Sequence, residues 1–119
     1  MCRVIAQLGA ADWVLSLEVA EHVPRAHEGL LLRNLLSHAR VGLVLSWSTS
    51  RGGRGHVNPR PQPYVESQIA ALGFRPDRQA AQRLARSAVV AYWIGRSIMV
   101  YRRQGVALAP TEVPSRAGE

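Results

Sequence analysis

Two apolar segments of strand length, separated by an amphipathic segment, restrict the folds open to this chain. The apolar segments are residues 13–19 and 41–47, and leucines at positions 30, 31, 32, 35 and 36 form one stripe of a predicted helix over 27–39. Strands that are apolar at nearly every position are typical of sheets covered on both faces. Because short connections join the three segments, we predict an α/β fold built around a parallel pair of buried strands.

Beyond this unit, the sequence predicts a loop, two helices and two strands. Residues 48–63 contain three glycines and three prolines, which indicates a loop. Helices are predicted over 64–72 and 78–94, and strands over 74–77 and 97–103. The last residues include prolines and many small side chains, so we expect a domain at 1–104 and a disordered tail at 105–119.

Length and composition narrow the class of protein. A chain of 119 residues supports one domain. No run approaches the roughly 18 apolar residues of a membrane span, and the first residues lack the long apolar core of a signal peptide. Cys2 is the single cysteine, which excludes an internal disulfide and suits a reducing compartment. We therefore predict a cytoplasmic protein that has no membrane partner.

The charge of the chain is strongly basic. The formal net charge is +7, and all 15 basic residues are arginine. Arginine pairs bidentately with phosphates, so one interpretation is an anionic partner. The arginines are scattered, however, and do not form the basic stripe with interleaved aromatic residues that is typical of nucleic-acid-binding modules. Biased residue usage is the simpler interpretation, and nucleic acid is not the predicted partner.

Polar side chains follow both predicted parallel strands. Glu18, Glu21 and His22 come at the end of the first strand, and His56 and Asn58 follow the second. Because open parallel sheets bind ligands at the carboxyl ends of their strands, we expect a site there. Two carboxylates and an imidazole within one turn can bind a hard cation or transfer a proton. The structural alternative is an acidic pair facing the positive end of a helix, together with surface histidines.

Residues 17–24, Leu-Glu-Val-Ala-Glu-His-Val-Pro, resemble the EVxEHV segment of class I S-adenosylmethionine-dependent methyltransferases, in the group related to ubiquinone-biosynthesis O-methyltransferases. Four further segments of this chain are similar to motifs of a broad bacterial group of these enzymes. They are LSW at 45–47, GRGHVN at 53–58, LGF at 72–74 and IMVYRR at 98–103. The resemblance covers about residues 12–103. It implies a partial doubly wound, Rossmann-like sheet of three to four strands with helices packed on it.

The resemblance also implies roles for individual residues. Leu17, through its main chain, and Glu18 match cofactor contacts, so S-adenosylmethionine is the expected cofactor. Glu18, Glu21 and His22 match residues that are implicated in binding a divalent metal in some members. His22 and His56 are the candidate catalytic bases for methyl transfer to a small-molecule acceptor.

Two features of the family are missing from this sequence. The family holds its cofactor on a Gly-x-Gly-x-Gly turn after its first strand, and an acid after the second strand binds the ribose; neither is present. Gly52, Gly53 and Gly55 follow the second predicted strand and do not lead directly into a helix, so we interpret them as a loop over the substrate pocket. We expect the carboxyl-terminal part of a methyltransferase. The alternative is a non-catalytic fragment or partner subunit that docks on another chain through an exposed sheet edge.

Overall fold

The computed structural model describes residues 8–87 and 91–105. Its four strands are β1 (Ala11–Leu17), β2 (Ala39–Ser46), β3 (Phe74–Pro76) and β4 (Ile98–Arg103). They form one mixed sheet in the order β1-β2-β4-β3. β1 and β2 are parallel, whereas β4 runs antiparallel to both β2 and β3. The predicted α/β class with three to four strands is therefore confirmed.

Helices connect and cover these strands. α1 (Glu28–Ser37) joins β1 to β2 after two short 3₁₀ turns, the first at Ala20–His22. α2 (Gln62–Ala70) precedes β3, and two further helices, α3 (Arg78–Ala85) and α4 (Tyr92–Gly95), lie between β3 and β4. The strand, helix and parallel strand at the start of the described chain confirm the predicted crossover unit.

α1 and α2 bury their apolar stripes against the central strands. Their side chains pack with those of β2 and β4 in one cluster. Its buried members, each at most 8% exposed, include Leu32, Leu36, Leu43, Leu45, Val65, Ile69, Met99 and Tyr101. Burying one such side chain stabilises a fold by about 1.5–3 kcal/mol. Burial of this cluster therefore stabilises the packing of α1 and α2 on the sheet.

The expectation that both apolar strands are covered on both faces is wrong for β1. β2 lies between β1 and β4, and Leu43 and Leu45 are fully buried. β1 lies at the edge of the sheet, and Trp13 and Leu15 are 39% and 65% exposed. The reason is positional: alternate residues of a strand point to opposite faces, and the face of β1 that carries these two side chains is open to solvent.

The prediction of one long helix over 78–94 is also wrong. α3 ends at Ala85, and α4 is a separate single turn that begins at Tyr92. The amide of Ser87 bonds the carbonyl of Leu84, three residues back, which is the tight bond that often closes a helix. The aromatic side chains of α4 are mostly exposed, so the apolar spacing did not mark one continuous buried stripe.

The other predicted elements differ from the observed ones only at their ends. The strand predicted at 13–19 begins and ends two residues earlier, and the helix predicted at 27–39 stops at Ser37 because β2 begins at Ala39. Residues 88–90 of the predicted long helix, and residues 106–119 of the predicted tail, lie outside the described residues. Among the helices that the structure describes, none combines the length and the apolar character needed to cross a membrane.

Candidate functional site

Glu18 marks the carboxyl end of β1. Its backbone has a φ of 56°, in the left-handed region that residues other than glycine rarely adopt. The Ser46 hydroxyl, at the end of β2, accepts a hydrogen bond from the Glu18 amide at 2.8 Å and donates one to Glu18 Oε2 at 3.0 Å. Strained backbone that is held in this way by its surroundings is common at functional sites.

Glu21 is the buried carboxylate of the site, with a side chain that is 0% exposed. Its backbone carbonyl accepts hydrogen bonds from the amides of Val57 and Asn58, both at 2.9 Å. Its Oε1 accepts a hydrogen bond from the Ser48 amide at 3.1 Å, but its buried Oε2 has no hydrogen-bond partner among the described residues. Glu21 thus ties the loop after β2 to the turn after β1 and leaves one oxygen unsatisfied.

His22 and His56 complete a cluster around that oxygen. The Nε2 atoms of His22 and His56 lie 3.7 and 4.0 Å from Glu21 Oε2. The two rings meet edge to face, with centroids 5.0 Å apart. The His22 side chain is 44% exposed and that of His56 is 13% exposed, so solvent reaches the cluster from the His22 side. Two imidazoles and a carboxylate in this arrangement can hold a cation or accept protons.

The other ring nitrogen of each histidine fixes its tautomer. His22 Nδ1 lies 2.9 Å from the carbonyl oxygen of Gly55, and His56 Nδ1 lies 2.7 Å from that of Ser50. A carbonyl oxygen only accepts, so each Nδ1 must carry the hydrogen. In the neutral form, each Nε2 therefore presents its lone pair.

The glycine-rich segment brings the two imidazoles together. A Cβ at Gly53 would collide with the His56 ring, and one at Gly55 would lie 3.0 Å from His22 Nδ1. Gly55 also has a φ of 76°, which favours glycine. These glycines therefore allow close packing between backbone and histidine. Their contacts give them a role in shaping the site that the sequence interpretation, a loop over a pocket, did not anticipate.

Asn58 faces a different network, centred on Glu28. Asn58 is fully buried, and its Nδ2 donates to Glu28 Oε1 at 2.7 Å. Arg60 pairs with the same carboxylate at 3.1 Å, and the Tyr64 hydroxyl donates to Glu28 Oε2. Burial raises the pKa of Glu28, but the hydrogen bonds from Tyr64, Asn58 and Arg60 and the Arg60 charge outweigh it, so the pKa is lowered. The hydrogen bond that the Tyr64 hydroxyl donates to Glu28 raises the pKa of Tyr64.

A polar cleft adjoins the ends of β1 and β2. Its volume is about 380 Å³, within the range of small-molecule sites. It is lined by Glu18, Ser48, Thr49, Ser50, Trp93, Arg96 and Ser97. Glu18 was predicted from the sequence, but the residues near α4 were not, because residues 78–94 were predicted to form one long helix.

The predicted site residues thus fall into two groups. Leu17 and Glu18 lie at the end of β1, and Glu18 lines the cleft. Glu21, His22 and His56 form the cluster of potential ligand atoms, all within 4.8 Å of one another. Glu18 is not a member of that cluster, although the resemblance groups it with Glu21 and His22.

Comparison with known proteins supports one fold. No family model and no curated protein matches the chain. Two solved structures match, both crystal structures of magnesium protoporphyrin IX methyltransferase from Synechocystis PCC 6803. The structure with bound SAM has a TM-score of 0.57 at 22% identity, and that with bound SAH has a TM-score of 0.59 at 19% identity. The chain has part of the class I methyltransferase fold.

The two matches cover most of this chain but only part of the methyltransferase chains. Both matches cover 87% of this chain, but only 44% and 50% of the methyltransferase chains. The chain therefore spans about half the length of the structures it matches. The predicted partial Rossmann-like methyltransferase sheet is confirmed as a fold.

Proposed function

We propose that this chain is the carboxyl-terminal half of an S-adenosylmethionine-dependent methyltransferase that acts on a small-molecule acceptor. The observation that carries the proposal is the polar cleft at the carboxyl ends of β1 and β2. Open parallel sheets bind ligands at this edge. Both matched methyltransferase structures contain bound SAM or SAH, which supports the same cofactor here.

We assign the cofactor contacts to Leu17, through its main chain, and to Glu18. When bound, S-adenosylmethionine supplies the methyl group. Leu17 is the last residue of β1, and Glu18 lines the cleft with a carboxylate that Ser46 holds in place. Fixing the carboxylate before the cofactor arrives lowers the entropic cost of binding.

We assign proton transfer to His22 and His56. Both present an Nε2 lone pair in the neutral form because the Nδ1 hydrogen is donated to a carbonyl oxygen. The exposed edge of His22 makes it the more accessible base for a proton leaving the acceptor. Glu21 beside both rings would stabilise the imidazolium that forms.

We further propose that activity requires polypeptide that completes the sheet. The chain has about half of the matched fold, and its glycine-rich segment packs around His22 and His56 instead of opening a helix after the first strand. The open side of β1 is where a further parallel strand can pair. S-adenosylmethionine binding by the chain alone should consequently be weak.

A second candidate function is that of a non-catalytic fragment or partner subunit. The exposed Trp13 and Leu15 on the edge strand β1 favour it, because apolar side chains on an unpaired edge favour association.

Nucleic acid is not the proposed partner, because four described arginines already pair with carboxylates within the fold: Arg40, Arg60, Arg78 and Arg102. We retain the cytoplasm as the proposed location because Cys2 is the single cysteine.

Titration of the ¹⁵N-labelled full chain with S-adenosylmethionine tests the first function. We expect saturable shifts at Leu17, Glu18 and residues 48–50, with a Kd of roughly 1 mM, equivalent to about 4 kcal/mol of binding free energy. Glu18→Gln should weaken this binding, whereas the matched control Glu66→Gln, whose partner is Arg78, should not. Shifts that map elsewhere, or equal binding by Glu18→Gln, would contradict the assignment. A folded chain that shows no shifts but is recovered with a bound protein partner would favour the second candidate.

A further inference from the structure

We propose that the α4 side of the polar cleft binds the anionic group of a small planar acid, and that this acid is the methyl acceptor. The α4 side consists of Trp93, Arg96 and Ser97, which come from α4 and the two residues after it. These residues take no part in the proposed cofactor contacts or proton transfer. The inference rests on the proposed methyltransferase function and names the chemical class of its acceptor.

Arg96 gives the α4 side a positive charge that no described carboxylate neutralises. Its guanidinium forms no ion pair with a described residue and donates to the neutral hydroxyl of Tyr92 at 3.3 Å. An arginine with an unpaired charge can bind a carboxylate through two parallel hydrogen bonds. Arg96 thus differs from four described arginines that pair with carboxylates at 3.1 Å or less: Arg40, Arg60, Arg78 and Arg102.

Hydroxyl groups line the same cleft and add donors for an anion. Ser48, Thr49 and Ser50 come from the loop after β2. The Ser48 hydroxyl oxygen accepts from the Ser50 amide, and the Ser50 hydroxyl oxygen accepts from the Gly52 amide, both at 3.1 Å. A hydroxyl that accepts through its oxygen still has its hydrogen to donate. A guanidinium and hydroxyl donors in one cleft favour a ligand that carries an anionic group.

Trp93 gives the α4 side a flat apolar surface. The residue is 63% exposed, and its ring meets that of Tyr92 edge to face, with centroids 6.3 Å apart. Trp93 and Arg96 are three residues apart, so they lie on the same face of the α4 turn. An indole beside an unpaired guanidinium fits a ligand that has both a planar ring and an acidic group.

A second pair of tryptophan and arginine differs from this one in its charge. The Arg102 guanidinium lies 5.0 Å from the ring centroid of Trp13. The same guanidinium donates to Asp77 Oδ2 at 2.6 Å, so a carboxylate within the fold already neutralises it. Trp13 is therefore a matched control for Trp93, because it is a partly exposed indole without an unpaired cation beside it.

The position of Glu18 in the cleft gives the bound acid a direction. Glu18 lines the same cleft with a carboxylate that Ser46 holds in place. Like charges repel, so the anionic group of the acid should lie away from Glu18 and beside Arg96. The Ser50 carbonyl is 2.7 Å from His56 Nδ1, so a proposed base adjoins the wall of the cleft. The cleft volume of about 380 Å³ suits an acid with a small planar body.

Titration of the ¹⁵N-labelled full chain with benzoate, followed by NMR, tests the site without cofactor. We expect saturable shifts of the Trp93 indole N–H and the Arg96 Nε–H, with a Kd of roughly 1–10 mM. Benzamide has the same ring without the charge and should bind about 10-fold more weakly, because it cannot form a charge-assisted pair. Cyclohexanecarboxylate has the charge without the planar ring and should bind about 3-fold more weakly.

Variants of the two residues separate the contributions of charge and ring. Arg96→Gln should bind benzoate and benzamide with equal affinity, and Trp93→Leu should bind benzoate and cyclohexanecarboxylate with equal affinity. The matched controls are Arg83→Gln, which removes an arginine of α3 outside the cleft lining, and Trp13→Leu. Both controls should bind benzoate within about two-fold of the parent chain. The amide spectrum of each variant reports whether it is folded.

S-adenosylmethionine has a carboxylate of its own, so Arg96→Gln is also titrated with the cofactor. We expect the same shifts at Leu17 and Glu18 as in the parent chain. Weaker cofactor binding by Arg96→Gln would overturn the proposal, because Arg96 would then serve the cofactor. Benzoate shifts that map away from Trp93 and Arg96, or equal benzoate affinity in Arg96→Gln and the parent chain, would overturn it as well.

The two titrations fail separately. The benzoate titration contains no S-adenosylmethionine, so its failure would leave the cofactor contacts assigned to Leu17 and Glu18 standing. A parent chain that binds benzoate at Trp93 and Arg96 but shows no shifts with S-adenosylmethionine would contradict the methyltransferase function. The assignment of the acid as methyl acceptor would then be wrong, while the acid-binding site itself would be confirmed.

Discussion

Glu28 secures the start of α1 to the loop that follows β2. Its carboxylate accepts from Asn58 and Arg60 and contacts the Tyr64 hydroxyl, so three polar side chains depend on its charge. The pKa of Glu28 is lowered from its ordinary 4.5 because those bonds and the Arg60 charge outweigh burial. A carboxyl with a lowered pKa contributes stability that is present above its unfolded pKa and is lost as the pH falls through its folded pKa.

Glu28→Gln should lower the free energy of unfolding by about 1–3 kcal/mol near neutral pH, because Asn58 and Arg60 lose a charged acceptor. The deficit should begin to shrink as the pH falls below about 4.5, where Glu28 of the unfolded parent chain takes up a proton, and should be gone below the lowered pKa of the folded chain. Urea denaturation between about pH 3 and pH 7 measures both effects. Glu66→Gln, which removes a more exposed partner of Arg78, should change stability by less than about 1 kcal/mol at each pH. Parallel pH profiles for Glu28→Gln and the parent chain would show that Glu28 does not carry this dependence.

At the scale of the element, β1 has an apolar sequence but an edge position. Trp13 packs over Gly42, where a Cβ would strike its ring, and the Arg102 guanidinium lies 5.0 Å from the ring centroid. Trp13 nevertheless stays partly exposed, and Leu15 is mostly exposed. An edge strand with an open apolar face promotes association between chains.

Leu15→Lys should therefore reduce self-association and leave the fold intact. Sedimentation at increasing concentration should show the parent chain associating more than the variant, because a charge on an edge strand opposes pairing. The free energy of unfolding should change by less than about 1 kcal/mol, as expected for a surface substitution. Leu43→Ala, in the buried face of β2, should in contrast cost about 2–5 kcal/mol. Equal destabilisation by the two variants would mean that Leu15 is buried in solution.

The strands and their order of connection were predictable because apolar content and short connections act locally. The crossover from β1 through α1 to β2 followed from the leucine stripe at 30–36 between two apolar segments. The exposure of β1 was not predictable, since an edge strand and a central strand can have the same apolar sequence. The end of α3 was not predictable either. Tyr92 and Trp93 fit the helical spacing of a longer α3, but they are exposed in a separate turn.

At the scale of the whole molecule, the sequence predicted which end of the sheet the candidate residues share better than it predicted which of their side chains meet. Parallel strands put Glu21, His22 and His56 at one edge of the sheet, as expected from topology alone. Which side chains meet depends on the path of the loop after β2, where Gly53 and Gly55 admit the two rings. No local pattern indicated that Glu18 turns to Ser46, or that Trp93 and Arg96 line the cleft.

The match to about half of the methyltransferase chains fits the uneven burial of this fold. α3 contacts β4, and among the described residues β1 and β3 are the two edge strands of the sheet. β1 is the edge whose parallel pairing with β2 leaves room for a further parallel strand. The S-adenosylmethionine titration and the Leu15→Lys variant both probe this edge, the first through cofactor binding and the second through self-association.

The pairing of β1 with β2 also determines how fast each backbone amide of β1 exchanges its hydrogen with water. β2 is bonded on both sides, so its amides should exchange slowly, while the amides of β1 that point away from β2 should exchange quickly. Fast and slow positions should therefore alternate along Ala11–Leu17. Hydrogen–deuterium exchange followed by NMR would show this pattern, and uniform protection along β1 would reveal a strand bound at its outer edge.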